Sequence, residues 1–350
     1  MTERLYLDHA ATTPLLPAAA EAMREGFAIW ANPSSPHAAG RKARAALEDA
    51  RERVRAALGW DGEVVFTSGA SEALALAVRH ARAPLAAVSA VEHEAVLRLS
   101  PMAVLAVDEQ GWVDPVDCAT SGLVAVQQVN NETGVIQPLA AIAEAVRGAG
   151  GVLLADCAQG AGKLALPEAD LIALSAHKFG GPVGVGALLV RDFALLDAGG
   201  GQERGYRAGT ENLPGAFGLT AALEAGNGWL GEAARLRARL EAGIVAGGGE
   251  VVAEGAPRLA TIGAYRMPGV SSAAQLIRFD AAGIAISAGS ACSSGSLRES
   301  HVLSAMGIAG AGEVIRISIG RETREGDIDR ALDAWRAIAR RDAAQDYRAA

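Results

Sequence analysis

A chain of 350 residues, half of them hydrophobic, is long enough for two domains and too apolar to be disordered. Its net charge of −8 excludes an electrostatic grip on nucleic acid, and no apolar run approaches the roughly 20 residues that span a bilayer, so neither nucleic acid nor a membrane is an expected partner. Three cysteines, Cys118, Cys157 and Cys292, form an odd set without metal-ligand spacing; this excludes a disulfide framework, and with no apolar signal core near the start the expected compartment is the cytoplasm.

Short apolar strands alternate with alanine-rich amphipathic helices. EVVFT (63–67) reads as a strand, SGA as a turn and 71–81 as a helix. Strands follow at 85–90 and at 102–114, the latter running into a turn. The strands 122–129 and 151–159 flank a helix at 138–149, and 170–176 and 185–190 complete the series. Continuous apolar strands between helices imply a mostly parallel sheet covered on both faces. From about residue 216 the pattern changes. A long helix is expected over 216–247, ending in GGGE. Strands near 250–254, 259–266, 283–287 and 313–319, with helices at 271–282 and 322–342, read as a smaller α+β domain. The expected division is a large domain over 15–248 and a small domain formed by 1–14 and 249–350. No internal repeat or low-complexity linker interrupts it.

Ligands of open α/β sheets bind beyond the carboxyl ends of the strands, and several strands here end in polar residues. Thr67-Ser68-Gly69-Ala70-Ser71 is a glycine-bearing turn feeding a helix. Its free N–H groups and the helix dipole suit a phosphate, although a plain N-cap by Ser68 or Ser71 leaves the same signature. No lysine follows the glycine, so it is not a P-loop. His93 lies just past a strand, as a site residue or as a solvated loop residue. Asn130-Asn131-Glu132-Thr133-Gly134 is a polar turn, for which Asn and Gly are suited in any case. Asp156, followed by Cys157, Ala158 and Gln159, puts a carboxylate at a strand end. It needs a cation there, a cap, or the protonated ring nitrogen of a cofactor. Ser175-Ala176-His177-Lys178 sets a lysine before two glycines and a proline. It either snorkels to water or is partly desolvated, which favours the neutral, nucleophilic amine of Schiff-base chemistry. Together, a phosphate cup, a histidine, a carboxylate and a lysine on one sheet edge are what pyridoxal phosphate (PLP) requires. Cys292, in SAGSACSSGS, has no bulky apolar neighbour within four positions, unlike a buried structural cysteine.

The motifs YLDHAATTP (6–14), NPSSPHAAGRKAR (32–44), FTSGASEA (66–73), EHEAVL (92–97), NNETGVIQP (130–138), DCAQGAGK (156–163), SAHKFGGPVGVGALLV (175–190), GGGQERGYRAGTEN (199–212), GSACSSGS (289–296), SHVLSAMG (300–307) and IRISIGRETREGDID (315–329) run the length of the chain. With them it resembles the cysteine desulfurases of the class V aminotransferase branch, within the fold-type I PLP enzymes, in the group with a long catalytic loop. The resemblance implies an α/β fold, with a large domain of mixed, mostly parallel sheet covered by helices and a smaller α+β domain carrying the catalytic cysteine. It implies conversion of L-cysteine to L-alanine, with the sulfur held as a persulfide on Cys292, the nucleophile. That sulfur would supply Fe–S clusters, other sulfur-containing cofactors or thio-modified tRNA, through an acceptor protein that is an Fe–S scaffold or a sulfur carrier.

By the same resemblance Lys178 carries the cofactor, Asp156 pairs with its ring nitrogen and His93 stacks on the ring and shuttles protons. Gln159 meets the ring hydroxyl with Asn131 nearby. Ala70 (backbone), Ser71, Ser175 and His177 hold the phosphate. Position 71 is Ser where the family usually has Thr, which keeps the hydroxyl. Thr210 reaches the phosphate of a partner subunit, which implies a homodimer. Arg316 clamps the substrate carboxylate, with Asn32 near the substrate. No metal is expected. Another PLP enzyme, such as a selenocysteine lyase or a small aminotransferase, and a non-catalytic sulfur carrier are the competing readings; an aminotransferase has no need of the Cys292 thiol.

Overall fold

The structure, a computed structural model, describes residues 4–99, 101–289 and 299–349. Strand β1 (Leu5–Tyr6) leads to helices α1 (Pro17–Ala28) and α2 (Ala38–Leu58), in a stretch that the strand–helix alternation leaves unassigned. Pro17 opens α1, where its missing N–H is one the helix does not need, and α2 ends on Gly59 in the left-handed region at φ +62°. Then come β2 (Glu63–Thr67), α3 (Ala70–His80), β3 (Leu85–Ser89), α4 (Glu94–Leu97), β4 (Ala103–Leu105), β5 (Leu123–Gln127), α5 (Leu139–Gly148), β6 (Val152–Asp156), β7 (Leu171–Ser175) and β8 (Gly186–Val190). The rest of the described chain forms α6 (Leu213–Glu224), α7 (Leu230–Ala246), β9 (Glu250–Val251), β10 (Ile262–Arg266), α8 (Ser272–Ala281), β11 (Ile284–Ala285), α9 (His301–Ala305), β12 (Val314–Ser318) and α10 (Glu325–Ala349).

The large sheet has the order β2-β8-β7-β6-β5-β3-β4. β8 runs antiparallel to both neighbours, and the pairs β7-β6, β6-β5, β5-β3 and β3-β4 are parallel. The sheet is therefore mixed and mostly parallel, as the apolar strands imply. Alternation sends Val64 and Phe66 into the core that includes α2, α5 and α6, and Val65 into the core that includes α3. The strands are apolar on both faces for that reason. Because β2, β3, β5, β6 and β7 point the same way, their carboxyl ends share one edge.

The long helix expected over 216–247 is two helices, α6 and α7. Gly226, at φ +69°, breaks it. Leu236, Leu240 and Ile244 of α7 then pack with Leu5, Leu7, Tyr265, Ile317 and Trp335 in a second core. By packing, α7 thus groups with the C-terminal elements, whereas the expected boundary at 248 assigned it to the large domain. β9 is shorter than its expected span, because Ala253 at φ +53° turns the chain out of extended geometry. β12, β10 and β9 form an antiparallel sheet, and β1 pairs with β11 in parallel. Ser287 and Arg316 exchange backbone hydrogen bonds of 3.1 and 2.7 Å, which joins the end of β11 to β12. Among the described residues no helix is long and apolar enough to cross a membrane.

Candidate active site

A cavity of about 360 Å³ lies at the carboxyl edge of the large sheet. Ala70, Ser71, His93, Asn131, Asp156, Gln159, Ser175, His177, Lys178 and Arg316 all line it. Nine of these follow or end strands of the large sheet or open α3. Arg316 comes instead from β12 of the second sheet, so the cavity is closed by both parts of the chain.

Lys178 stands in the turn after β7, and its Nζ donates to the carbonyl oxygens of Ala10 and Ala11 at 2.7 and 2.8 Å. Thr13 holds the same turn, its N–H bonding the His177 carbonyl at 2.8 Å and its Oγ1 the Lys178 carbonyl at 3.2 Å. Asp156 ends β6 and is buried; its Oδ1 accepts from the Ala158 N–H at 2.9 Å. Burial raises the carboxyl pKa, while that N–H and the charges of His93 and Lys178 oppose the rise. His93 caps α4: Nδ1 accepts from the Ala95 N–H at 3.1 Å, so in the neutral ring the proton sits on Nε2. His177 Nδ1 bonds Thr12 Oγ1 at 3.1 Å, and burial, Lys178 and Lys163 together bring its pKa down to about 4. It is therefore neutral near pH 7.

At one end of the cavity α3 begins on Gly69, at φ +149°, and no side chain among the described residues caps it. The N–H groups of its first turn face the cavity beside Ser71 and Ser175. Gln159 donates through Nε2 to the Ala10 carbonyl at 2.8 Å, but its buried Oε1 has no partner among the described residues. An uncapped helix start, an orphaned buried amide oxygen, a buried carboxylate and a lysine on one cavity fit the donor and acceptor pattern of PLP: phosphate, ring hydroxyl, ring nitrogen and aldehyde. At the other side Arg316 donates to the Asn131 carbonyl at 2.8 Å and to Asp8 Oδ1 at 2.7 Å, while its Nε is buried without a partner among the described residues.

Two expected site residues, Asn32 and Thr210, do not line the cavity. Asn32 is exposed and its Oδ1 accepts from the Ser34 N–H at 2.8 Å, a local turn. Thr210 is exposed on the segment before α6. Cys292 lies outside the described residues. Ser34 Oγ bonds Gln202 Oε1 at 2.7 Å, so the Asn32 turn and the segment leading to Thr210 are neighbours.

Several residues of the site carry no signal in the local sequence pattern. The Ala10 and Ala11 carbonyls act through the backbone, which no side-chain pattern reveals. Asp8 is a single acid in YLDHAATTP and acquires its meaning only by pairing with Arg316, 308 residues away. Lys163 is buried, donates to the Gln159 carbonyl at 3.2 Å, and is brought down to about 7 by burial and by Lys178. Its signal was the charged end of DCAQGAGK on a small-residue turn. Glu92 and Glu132 are also buried, and burial drives the Glu92 carboxyl well above the usual carboxylate range, with Asp156 adding to it.

The class-V aminotransferase family matches residues 5–331. A cysteine desulfurase of Cereibacter sphaeroides is 39% identical, over 95% of this chain and 94% of its own. An IscS-like cysteine desulfurase of Mycobacterium tuberculosis is 38% identical, over 94% of each chain. The solved structure of a NifS-like protein from Rickettsia africae superposes with a TM-score of 0.86 at 28% identity, covering 96% of this chain and 99% of that one. Likeness of this extent, along nearly the whole chain and around a cavity of this chemistry, means that the protein belongs to the class-V aminotransferases, in the cysteine desulfurase branch of that PLP-dependent enzyme family.

Proposed function

We propose that the protein converts L-cysteine to L-alanine and takes the sulfur onto Cys292 as a persulfide. The observation that carries this reading is one cavity with Lys178 and Asp156 on the large sheet and Arg316 facing them from the second sheet. In this reading the α3 N-terminus, Ser71, Ser175 and His177 hold the PLP phosphate, with the Ala70 N–H among the donors. Asp156 would pair with the ring nitrogen, His93 would stack on the ring, and Gln159 and Asn131 would serve the ring hydroxyl. PLP, when bound, supplies an electron sink for bond breaking at the substrate Cα.

The chain's own groups do the rest. Arg316 binds the substrate carboxylate, for which a planar guanidinium with an available Nε–H is suited. Asp8 and the Asn131 carbonyl keep that guanidinium oriented. Lys178, held on the Ala10 and Ala11 carbonyls, releases its amine to move the Cα proton. The Cys292 thiolate attacks the substrate sulfur: the S–Cβ bond breaks, a Cys292 Sγ–S bond forms, and the carbon takes up a proton on the way to alanine. Thr210, exposed in this chain, serves the phosphate of a second copy, so the working unit is a homodimer with a large domain and a small one. The persulfide passes to an acceptor protein, an Fe–S scaffold or a sulfur carrier, in the cytoplasm.

The test is alanine release from L-cysteine by the PLP-loaded protein. The wild type releases alanine, and Cys292→Ser keeps the cofactor's visible absorbance but releases none. A wild type without turnover, or a serine variant at the wild-type rate, would overturn the proposal.

A further inference from the structure

The described residues on either side of the segment that carries Cys292 are tied to a cavity residue or to a residue next to one. On its N-terminal side Ser287 exchanges backbone hydrogen bonds with Arg316. On its C-terminal side the buried Ser300 Oγ donates to Glu132 Oε2 at 2.6 Å and accepts the Leu303 N–H at 3.1 Å, capping α9. The next residue, His301, donates from Nε2 to the Glu92 carbonyl at 2.9 Å. Each tether falls on a cavity residue or one position from it: Arg316 itself, Glu132 beside Asn131, and Glu92 beside His93.

Glu132 is built for this contact. It is buried, and its N–H bonds Asn130 Oδ1 at 2.9 Å. Asn130 in turn is fixed by its Nδ2 on the Val91 carbonyl at 3.1 Å. The turn that carries Asn131 to the cavity therefore also aims the Glu132 carboxylate. A short hydroxyl-to-carboxylate bond away from water is among the stronger neutral-to-charged contacts. The cavity chemistry makes no use of Glu132, which does not line the cavity.

We infer that Glu132 is a positioning residue for sulfur transfer: through Ser300 it fixes the start of α9, the anchor that follows the Cys292 segment in the chain, beside the turn that carries Asn131 to the cavity. This rests on the assignment of Cys292 as sulfur acceptor. The contact acts after the cofactor and L-cysteine are bound, so its loss slows the step that uses the thiol and leaves the earlier ones intact.

The experiment is a single turnover of the PLP-loaded enzyme with L-cysteine, following the Cys292 persulfide by mass spectrometry alongside the cofactor spectrum. Glu132→Ala is expected to form the persulfide about tenfold or more slowly, the size of one buried hydrogen bond to a charged group. Its cofactor absorbance and the spectral response to L-cysteine stay as in the wild type. Glu132→Gln, which keeps an oxygen for Ser300, is expected to recover most of the rate. Where the alanine variant does not accumulate, Ser300→Thr and Ser300→Val give the same contrast, hydroxyl kept and hydroxyl lost. Persulfide formation at the wild-type rate in Glu132→Ala or Ser300→Val overturns the inference. So does an equal loss in the conservative and disruptive variants together with the cofactor spectrum, which marks a merely structural role. A wild type that forms no persulfide on Cys292 overturns the functional assignment itself, a result the variants alone cannot mimic.

Discussion

Lys163→Met is expected to stabilise the protein by an amount that depends on pH. Lys163 sits behind the cavity, buried, with its Nζ on the Gln159 carbonyl at 3.2 Å. Burial, and then the charge of Lys178, lower its pKa from 10.5 to about 7. The sign follows from proton linkage. Below about pH 7 both the folded and the unfolded chain hold the proton, and the folded state carries the full penalty of a buried charge. Between about 7 and 10.5 the unfolded chain binds more protons than the folded one, so stability rises with pH. Above 10.5 neither holds the proton and the penalty is gone. At 1.36 kcal/mol per pH unit the gap corresponds to about 5 kcal/mol below pH 7 and about 1.4 kcal/mol at about pH 9.5. Methionine has a similar unbranched shape and no charge to bury. Urea unfolding of the cofactor-free protein at both pH values reads the difference. The variant should exceed the wild type by several kcal/mol at neutral pH, with the gap narrowing at the higher value. A variant less stable than the wild type at neutral pH, or a gap that does not narrow, refutes the reasoning.

Two further perturbations probe the frame around the site. Arg51 and Glu203 form a buried pair at 2.8 Å that holds the segment 202–207 against β2, with Glu203 also accepting the Phe66 N–H at 2.9 Å. Arg51→Met leaves that carboxylate buried without its cation and should cost about 3–5 kcal/mol; a loss under about 1 kcal/mol in urea unfolding sinks this. Arg316→Lys puts a point charge where a planar fork spans Asp8 and the Asn131 carbonyl. The KM for L-cysteine should rise about tenfold or more with the cofactor spectrum unchanged. An unaltered KM removes Arg316 from substrate binding.

The large sheet was legible because its strands are short apolar runs set between helical periods, and that pattern is local. Lys178, Asp156 and His93 were legible for the same reason, as polar residues directly after such strands. The helices α1 and α2 escaped, since they lie outside the strand–helix alternation and no catalytic group marks them. The break between α6 and α7 also escaped, although Gly226 and Gly228 mark it, because helical sequence flanks these residues on both sides.

What the sequence by itself determined is the chemistry on offer: an apolar sheet whose carboxyl edge carries an amine, a carboxylate, an imidazole and a helix start open to an anion. Local periodicity decides this, since a strand's end and the residue after it are neighbours in the chain. Tertiary structure alone decided how these groups are held and closed in. The Ala10 and Ala11 carbonyls reach Lys178 from 168 and 167 residues away, Asp8 orients Arg316 across 308, and Ser300 meets Glu132 across 168. Such contacts join elements of separate sheets and cores, and no local preference encodes them. They arise when two hydrophobic cores pack so that one cavity lies between a sheet edge and the strand that bears Arg316.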